Sequence, residues 1–475
     1  MKIEQIYTGC LAQGAYYISS DGEAAIIDPL RDYQPYVDTL EKDKVKLKYI
    51  FETHFHADFV SGHIDLGKAT GAKIVYGPNA QTSYEAEVAR DGQVFSIGKV
   101  QLKVLHTPGH TMESSSFLLM DETGKEHALF TGDTLFIGDV GRPDLAQKVA
   151  GGITQEDLAS LLFDSLRTKI MTLPDDVTVY PGHGAGSACG KKMSKETVST
   201  IGKQKNENYA LRVNMTKEEF IKEVTDGLLP PPAYFGQNVD MNKNGYLSID
   251  SAHEQVQYLD PAQFETAING LKGVVLDSRS AGEFSKKHIP NSINIGLKGS
   301  FAPWVGDIVK DVTTPLYIIA DEGTEEELLD RLSRVGFDHV IAFLKGGIDS
   351  WVNANKEVDS INRITADALA QKIEGLPAGK NALFVDVRKA SEYEAEHVDE
   401  AFSKPLAAIN EWFSDIDDNE HFYLYCGGGY RSMIAASILQ SRGIRNFTEI
   451  EGGFGAIAQT NVPKTNFVCP SKVHA

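Results

Sequence analysis

The chain of 475 residues has few of the features that mark secreted proteins. Its four cysteines, Cys10, Cys189, Cys426 and Cys469, lie far apart and form no C-x-x-C pair. This number and spacing of cysteines does not suit a disulfide framework and favours a reducing compartment. A cysteine with a particular function in such a compartment is expected to be catalytic. The first twenty residues also lack the basic segment and apolar core of a secretory signal. We therefore expect a cytoplasmic protein.

Positive charge and long apolar runs are also scarce. Lys and Arg number 46 against 66 Asp and Glu, which leaves a formal net charge of −20. Nucleic acid and anionic membrane surfaces would repel such a chain. No apolar run reaches the roughly 18 residues of a membrane span. The composition thus predicts neither a nucleic-acid partner nor a membrane partner.

The length predicts about three domains, at roughly 150 residues per domain. Residues 1–230 alternate β-rich runs with helical stretches, which is typical of a mixed α/β domain with residues of interest at strand ends. Three consecutive prolines at 230–232 end any helix, and the polar stretch 231–260 is predicted to be a connector.

The rest of the chain repeats itself. GVVLDSRSAGEFSKKHIPNSINI, from residue 273, is echoed by ALFVDVRKASEYEAEHVDEAFSKPL, from residue 382. The same spacing separates Asp277 from Asp386 and His288 from His397, and a glycine pair closes each unit at a similar offset. The repeat predicts two α/β domains, residues 261–358 and 362–470.

Four segments with ligand-type side chains follow predicted strands in the first domain. His54 and His56 come after the run KLKYIF, and strand alternation predicts that they point the same way, as a shared ligand face requires. His110 follows T-P-G, Asp133 follows T-G, and His183 follows Y-P-G. One histidine at a strand end is commonly only hydrogen-bonded, but four segments in this order predict a metal site. They resemble the metallo-β-lactamase superfamily over the whole first domain.

Residue 59 bears on the number of metals. A dinuclear zinc hydrolase of that superfamily carries H-x-H-x-D-H, whose last histidine serves the second metal, whereas this chain has Phe59. The second site keeps Asp58, His183 and a share of Asp133 but loses its nitrogen donor. Two histidines and one carboxylate with three open positions suit ferrous iron, whereas zinc with three or four ligands activates water. We expect one Fe(II) per chain.

The segment GDVGRPD at 138–144 resembles the G-x-G-R-x-D segment of the persulfide dioxygenases, a glyoxalase II-like branch. That resemblance implies an iron held by His54, His110 and Asp133. Three further side chains then become groups that orient ligands and water, or additional ligands: His56, Asp58 and His183.

Three residues near this site are candidates for contact with substrate. Arg142 and Asp144 either touch substrate directly or form an internal salt bridge that braces their loop. Cys189 lies in a glycine-rich turn after His183. It is either a thiol that relays sulfur or an ordinary buried cysteine.

A second site is predicted in the last repeat. The strand FYLY leads into CGGGYRS and then a helix, so glycine N–H groups and the helix N-terminus converge on Cys426. Arg431 completes an anion cradle that stabilises a thiolate or a persulfide. The six-residue loop from Cys426 to Arg431 resembles the rhodanese active site, and small tyrosine phosphatases have two more residues there. His397 and the closing Glu451-Gly452-Gly453 match the same family across 380–460.

The middle repeat lacks this chemistry. Its corresponding loop places Asp321 at the cysteine position and Glu326 at the arginine position. Carboxylates repel a sulfur anion, and no nucleophile is present. We expect this domain to be inert in sulfur transfer and to serve as a spacer or docking wall.

Nearly the whole chain resembles bacterial persulfide dioxygenase–rhodanese fusions. The resemblance implies an α/β protein, with an N-terminal metallo-β-lactamase αββα sandwich followed by two rhodanese-like α/β domains. It also implies that Fe(II) and oxygen convert a low-molecular-weight persulfide to sulfite and thiol, and that the rhodanese cysteine joins sulfite to sulfane sulfur as thiosulfate. The alternatives are a dinuclear zinc thioester hydrolase of glyoxalase II type and a non-catalytic sulfur carrier or persulfide sensor. A homo-oligomer is left open.

Overall fold

The computed structural model describes residues 1–145, 152–270, 272–375 and 382–468. The chain divides into two units, the first containing residues 1–252 with 310–312 and 330–338. The second contains residues 253–309, 313–329 and those from 339 onward.

Two sheets form the first unit. In the described residues the first sheet has the strand order β1-β2-β3-β4-β5-β6, with bounds β1 Lys2–Thr8, β2 Gln13–Ser20, β3 Glu23–Ile27, β4 Lys46–Glu52, β5 Lys73–Tyr76 and β6 Glu87–Val88. The second has the order β12-β11-β10-β9-β8-β7, with bounds β7 Val94–Ile97, β8 Val100–His106, β9 Ser115–Met120, β10 Glu126–Gly132, β11 Thr178–Pro181 and β12 Ser199–Thr200.

Helices cover the outer faces of both sheets. Those of the first unit are α1 Gln34–Asp43, α2 His63–Thr70, α3 Gln155–Ser165, α4 Ile201–Glu207, α5 Lys217–Thr225 and α6 Phe235–Asn244, and α7 Ile249–Glu254 follows them. The described part of the chain holds no helix with the length and apolar character that crossing a bilayer requires.

Strand alternation builds three apolar layers. Tyr16 of β2 points into a core between the sheets, whereas its neighbour Tyr17 packs with α1 residues such as Leu40. Likewise Phe117 of β9 faces the inter-sheet core, and Leu118 joins a cluster with the helices of the second sheet. Because successive side chains leave a strand on opposite faces, strands buried on both faces are apolar throughout. The first unit is therefore the expected αββα sandwich.

The predicted connector, residues 231–260, is largely regular structure. It contains α6, α7 and a strand, β13 Gln257–Leu259. The helix α6 includes part of the polar segment MNKNG, and α6 begins after the prolines at 230–232 rather than being prevented by them. The domain boundaries themselves stay a prediction.

The second half contains two parallel sheets of the same topology. In the described residues their orders are β13-β17-β16-β14-β15 and β18-β22-β21-β19-β20. The bounds in the middle repeat are α8 Pro261–Gly270, β14 Val274–Asp277, α9 Ala281–Lys286, β15 Ile293–Asn294, α10 Phe301–Val309, β16 Leu316–Ile319, α11 Glu325–Ser333, β17 Val340–Leu344 and α12 Gly347–Asn353. Those in the last repeat are β18 Arg363–Thr365, α13 Ala366–Glu374, β19 Leu383–Asp386, α14 Ala390–Ala395, β20 Phe402–Ser403, α15 Ile409–Trp412, β21 Phe422–Tyr425, α16 Tyr430–Ser441, β22 Phe447–Glu451 and α17 Gly453–Ile457.

The Asp and His residues that recur in the two repeats make the same contacts in each. Asp386 forms a buried pair with Arg388, whose Nη2 lies 2.6 Å from Oδ2, and Asp277 repeats this pair with Arg279 at the same distance. His397 stacks on Tyr393 with ring centroids 3.7 Å apart, and the equivalent rings of the middle repeat stack at 3.9 Å. These motif residues hold the fold, and their repetition explains the common topology.

Candidate active sites

The predicted metal ligands come together at one edge of the sandwich because each follows the end of a strand. Strands β10 and β11 are parallel neighbours, with Gly132 opposite Pro181, so the residues that follow them meet. His183 Nε2 lies 3.6 Å from Asp133 Oδ1. A Cβ on Gly182 would stand 2.5 Å from Asp133 Oδ1, so this close approach requires glycine.

His54, His110 and Asp133 form a buried triad whose ligand atoms all lie within 4.8 Å of one another. Asp133 Oδ2 is 3.4 Å from His110 Nε2 and 3.9 Å from His54 Nε2. Neither oxygen of Asp133 has a hydrogen-bond partner among the described residues. A buried carboxylate without partners is costly unless a cation neutralises it. The donor set therefore fits a metal ion.

The outer nitrogens of the two histidines are held by neighbouring groups. His54 Nδ1 lies 3.0 Å from the Thr53 hydroxyl, and His110 Nδ1 lies 2.8 Å from the Arg142 carbonyl oxygen. A proton on Nδ1 leaves the Nε2 lone pair free for a metal. Burial, together with the neighbouring histidines, lowers the pKa of His54 well below its ordinary value. The neutral form, which binds metal, is thereby favoured.

A second cluster lies beside the triad and contains Asp58, His183 and Cys189. His183 Nε2 is 3.4 Å from Asp58 Oδ2, while its Nδ1 faces the Ala12 carbonyl oxygen at 3.2 Å. Cys189 is buried rather than facing solvent, and burial, then Asp58 and Asp133, raise the pKa of its thiol well above the ordinary value. The cluster keeps the remnants of a second metal site, and the role of Cys189 as a sulfur relay stays a prediction.

His56 is turned away from the triad. Its Nε2 lies 3.1 Å from Asp28 Oδ1 and 3.5 Å from Glu52 Oε2. The expectation that His54 and His56 share a direction is wrong, because β4 ends at Glu52 and strand alternation stops there. Burial lowers the pKa of His56, but the two carboxylates outweigh this and raise it well above its ordinary value. Burial also raises the pKa of Glu52. The cluster of Asp28, Glu52 and His56 was not predicted, because no motif contains it.

A side chain from α6 secures the loop that carries these histidines. Asn242 is buried, and its Nδ2 donates to the His56 and Phe59 carbonyl oxygens, each at 2.8 Å. Its Oδ1 accepts the Ser61 N–H at 2.9 Å. Sequence analysis missed Asn242 because it lies 186 residues from His56, in the stretch predicted to be a connector.

Arg142 and Asp144 form an internal ion pair. The Arg142 Nε and Nη2 atoms lie 2.6 and 2.7 Å from the two carboxylate oxygens. Arg142 also donates to the Ala188 and Leu229 carbonyl oxygens and is buried. This geometry favours the loop-bracing interpretation, and a direct contact with substrate stays a prediction.

Cys426 lies between the end of β21 and the start of α16. Its Sγ accepts the Gly429 N–H at 3.2 Å and lies 3.4 Å from the Ser432 hydroxyl. Gly429 has a φ of +94°, which turns its N–H toward the sulfur at the helix N-terminus. A Cβ on Gly453 would meet the Cys426 carbonyl oxygen at 2.3 Å, which explains the closing glycine. The Gly429 N–H and the helix N-terminus stabilise negative charge on the sulfur.

Arg431 is held by a partner that sequence analysis missed. The two carboxylate oxygens of Glu392 accept hydrogen bonds from Nη1 and Nη2 of Arg431, at 2.6 and 2.8 Å, in a two-point contact. Behind the loop, Glu449 accepts the Ser432 hydroxyl at 2.6 Å and Arg363 Nε at 2.7 Å. Burial raises the pKa of Glu449 to about 7, against the opposing effects of Arg363 and Ser432.

The middle repeat contacts the cysteine loop of the last repeat, residues 426–431. Tyr430 donates its hydroxyl to the Gly296 carbonyl oxygen at 2.8 Å, and a Cβ on Gly299 would stand 2.4 Å from the Tyr430 ring. The loop from Asp321 to Glu326 has no thiol or guanidinium, as its sequence requires. The interpretation of this domain as a docking wall agrees with these contacts, and its role stays a prediction.

Comparison with known proteins agrees with this architecture. Residues 8–183 match the model of the metallo-beta-lactamase superfamily, and residues 260–354 and 365–460 each match the rhodanese-like domain. Human persulfide dioxygenase ETHE1 is 32% identical over 214 residues, which is 44% of this chain and 74% of that protein. The chain belongs to the metallo-β-lactamase superfamily. It carries two rhodanese-like domains in addition, so the predicted fold class is confirmed.

Other proteins to which the chain is similar have different names. A probable hydroxyacylglutathione hydrolase of Schizosaccharomyces pombe is 34% identical over 164 residues, 34% of this chain and 59% of that relative. A solved structure of a metallo-beta-lactamase from Staphylococcus aureus is 30% identical, with a TM-score of 0.63. The alignment covers 73% of this chain and 98% of the Staphylococcus aureus protein. The structural similarity therefore extends beyond residues 8–183.

Proposed function

We propose that the protein is an iron-dependent persulfide dioxygenase whose last domain transfers sulfur. The observation that carries the proposal is the triad of two histidines and one carboxylate, with His56 turned away. This ligand set leaves coordination positions for oxygen and substrate and is typical of non-haem Fe(II) enzymes. The similarity to human persulfide dioxygenase supports the substrate class.

His54, His110 and Asp133 would hold the metal. The chemistry that Fe(II) supplies when bound is activation of oxygen toward a persulfide sulfur. The triad itself contributes charge and position: one carboxylate offsets part of the cation charge, and two neutral imidazoles are fixed through their outer nitrogens. In the balanced reaction, a persulfide, oxygen and water give a thiol, sulfite and two protons.

Cys426 would carry the second sulfur atom. Sulfite attacks the outer sulfur of a Cys426 persulfide, a new S–S bond forms in thiosulfate, and the Cys426 thiolate leaves. The Gly429 N–H, at the N-terminus of α16, faces the sulfur on which that charge appears. Arg431 supplies positive charge near the incoming anion, with its orientation fixed by Glu392. The two domains thus complement each other chemically, since one makes the acceptor and the other holds the sulfur.

A zinc-dependent thioester hydrolase is the second candidate. The cluster of Asp58, His183 and Cys189 beside the triad favours it, as do the hydroxyacylglutathione hydrolase relatives. Two bound zinc ions would activate water rather than oxygen. Phe59 opposes this function, because it removes a nitrogen donor from the second site.

One preparation of full-length protein can separate the two functions. Oxygen uptake with glutathione persulfide and hydrolysis of S-lactoylglutathione should be measured side by side. We expect oxygen uptake with sulfite and thiosulfate as products, and no thioester hydrolysis above background. Hydrolysis without oxygen uptake would establish the second candidate instead. If neither activity is found, the remaining candidate is a sulfur carrier or sensor that uses Cys426 alone.

A further inference from the structure

The position of His56 is determined by groups that lie outside the metal triad. Its ring centroid is only 4.2 Å from that of His54, so it stands within reach of the metal position. Its Nε2 nevertheless lies at ion-pair distance from Asp28 and Glu52, and neither of its ring nitrogens forms a hydrogen bond among the described residues. A histidine so close to a metal site would ordinarily be expected to serve as a ligand.

The two carboxylates are themselves firmly anchored. Asp28 accepts the Thr53 N–H and the Thr53 hydroxyl, each at 2.8 Å. Glu52 accepts the Ser61 hydroxyl at 2.7 Å. All these groups are buried, so Asp28 cannot follow His56 toward the triad without leaving the Thr53 N–H unpaired, and Glu52 would lose its contact with Ser61.

Phe59 restrains the His56 ring through a separate contact. Its ring packs on that of His56 with centroids 4.2 Å apart and an angle of 32° between the planes. Phe59 is fully buried, and its carbonyl oxygen is held by Asn242. Rotation of His56 toward the metal would therefore break an aromatic contact and separate His56 from two buried carboxylates with which it forms ion pairs.

We infer that Asp28, Glu52 and Phe59 set the metal specificity of the centre by keeping His56 out of the ligand set. The inference deepens the proposed function and rests on it. A third imidazole would occupy a position needed for oxygen or substrate, and it would raise the affinity for zinc relative to iron. The restraint on His56 thus separates a three-ligand iron centre from a hydrolase-type zinc centre.

A test of this inference compares metal selection in full-length variants. Wild type and the double variant Asp28→Asn/Glu52→Gln are stripped of metal and reloaded with an equimolar mixture of Fe(II) and Zn(II) without oxygen. We expect the zinc-to-iron ratio to rise about tenfold in the double variant, the scale on which outer groups alter metal affinity. X-ray absorption of the zinc-loaded protein should show three imidazoles in the variant and two in wild type.

Further variants isolate His56 as the cause. His56→Ala alone should leave the iron content unchanged, and added to the double variant it should reverse the gain in zinc. Phe59→Leu, which removes the ring contact but no charge, should raise the zinc-to-iron ratio in the same direction. Glu113→Gln is the matched control, since this buried carboxylate accepts the Phe55 N–H in the same loop at 3.0 Å. It should behave as wild type.

The outcomes distinguish failure of the inference from failure of the proposed function. Iron and persulfide oxidation in wild type, with unchanged metal selection in the double variant and in Phe59→Leu, would overturn the inference alone. Three imidazoles in wild type, or loss of iron from His56→Ala, would do the same. Should the double variant fail to fold, Phe59→Leu and His56→Ala still decide the matter. Thioester hydrolysis without oxygen uptake in wild type would instead overturn the proposed function.

Discussion

Asn242 offers a test of whether α6 supports the metal centre. The substitution Asn242→Ala removes three hydrogen bonds to the backbone of the ligand loop, at His56, Phe59 and Ser61. Each such bond contributes about 1 kcal/mol net, so the loss is about 3 kcal/mol. For a cooperative unit of this size, that corresponds to a fall in melting temperature of about 10 °C.

The loop also carries His54, so its loosening should weaken metal binding. We expect the affinity for Fe(II) to fall at least tenfold, as when supporting groups of other metal sites are removed. The assays are calorimetric melting of the metal-free full chain and titration with Fe(II) under anaerobic conditions. Asn244→Ala is the matched control, because Asn244 is exposed on the same helix and its side chain makes one hydrogen bond among the described residues, accepting the Ser83 hydroxyl at 3.0 Å. It should melt within about 2 °C of wild type.

Two results would contradict the proposed support of the metal centre by α6. If Asn242→Ala melts no lower than Asn244→Ala, the three hydrogen bonds contribute no net stability. If it melts lower but binds Fe(II) as tightly as wild type, α6 supports the fold and not the site.

Three further predictions concern the last domain. Cys426→Ser should abolish sulfur transfer while oxygen uptake continues, so that sulfite replaces thiosulfate as the product at short times. The control Asp321→Ser, in the middle repeat, should change neither rate more than a few-fold. Loss of oxygen uptake in Cys426→Ser would mean that sulfur passes through Cys426 before it reaches the metal. Arg431→Lys keeps the charge but loses the two-point contact with Glu392, so kcat/KM for transfer from thiosulfate to cyanide should fall at least tenfold, and wild-type kinetics would contradict this role. Burial raises the pKa of Glu449 from 4.5 in the unfolded chain to about 7 in the folded protein. The free energy of unfolding should therefore fall as the pH rises from 4.5 to about 7, by up to about 3 kcal/mol. Calorimetry from pH 5 to 8 should show this fall in wild type and not in Glu449→Gln.

The sequence was sufficient to predict the triad and the cysteine loop because their residues follow strand ends in short motifs. Parallel strands bring such loops together at one edge, so the meeting of Asp133 and His183 follows from strand order. The repeat likewise predicted two domains of one topology, because Asp386 and His397 hold the fold in the same way as their counterparts.

The surroundings of these residues could not be predicted in the same way. Glu392 lies 39 residues from Arg431, and Asp28 lies 28 positions before His56, in segments without a recognisable motif. Which carboxylate a buried side chain meets depends on side-chain rotamers and packing, and local periodicity carries no information on either. The direction of His56 was mispredicted for the related reason that strand alternation was extended beyond the end of β4.

We propose that His54, His110 and Asp133 form an iron centre that consumes oxygen with a persulfide. Metal analysis and oxygen uptake on one aerobic preparation of the full-length protein test it most directly, with His110→Ala beside wild type. We expect about one iron and little zinc per wild-type chain, oxygen uptake that depends on persulfide, and loss of both iron and uptake in His110→Ala. Two zinc ions per wild-type chain without oxygen uptake would contradict it.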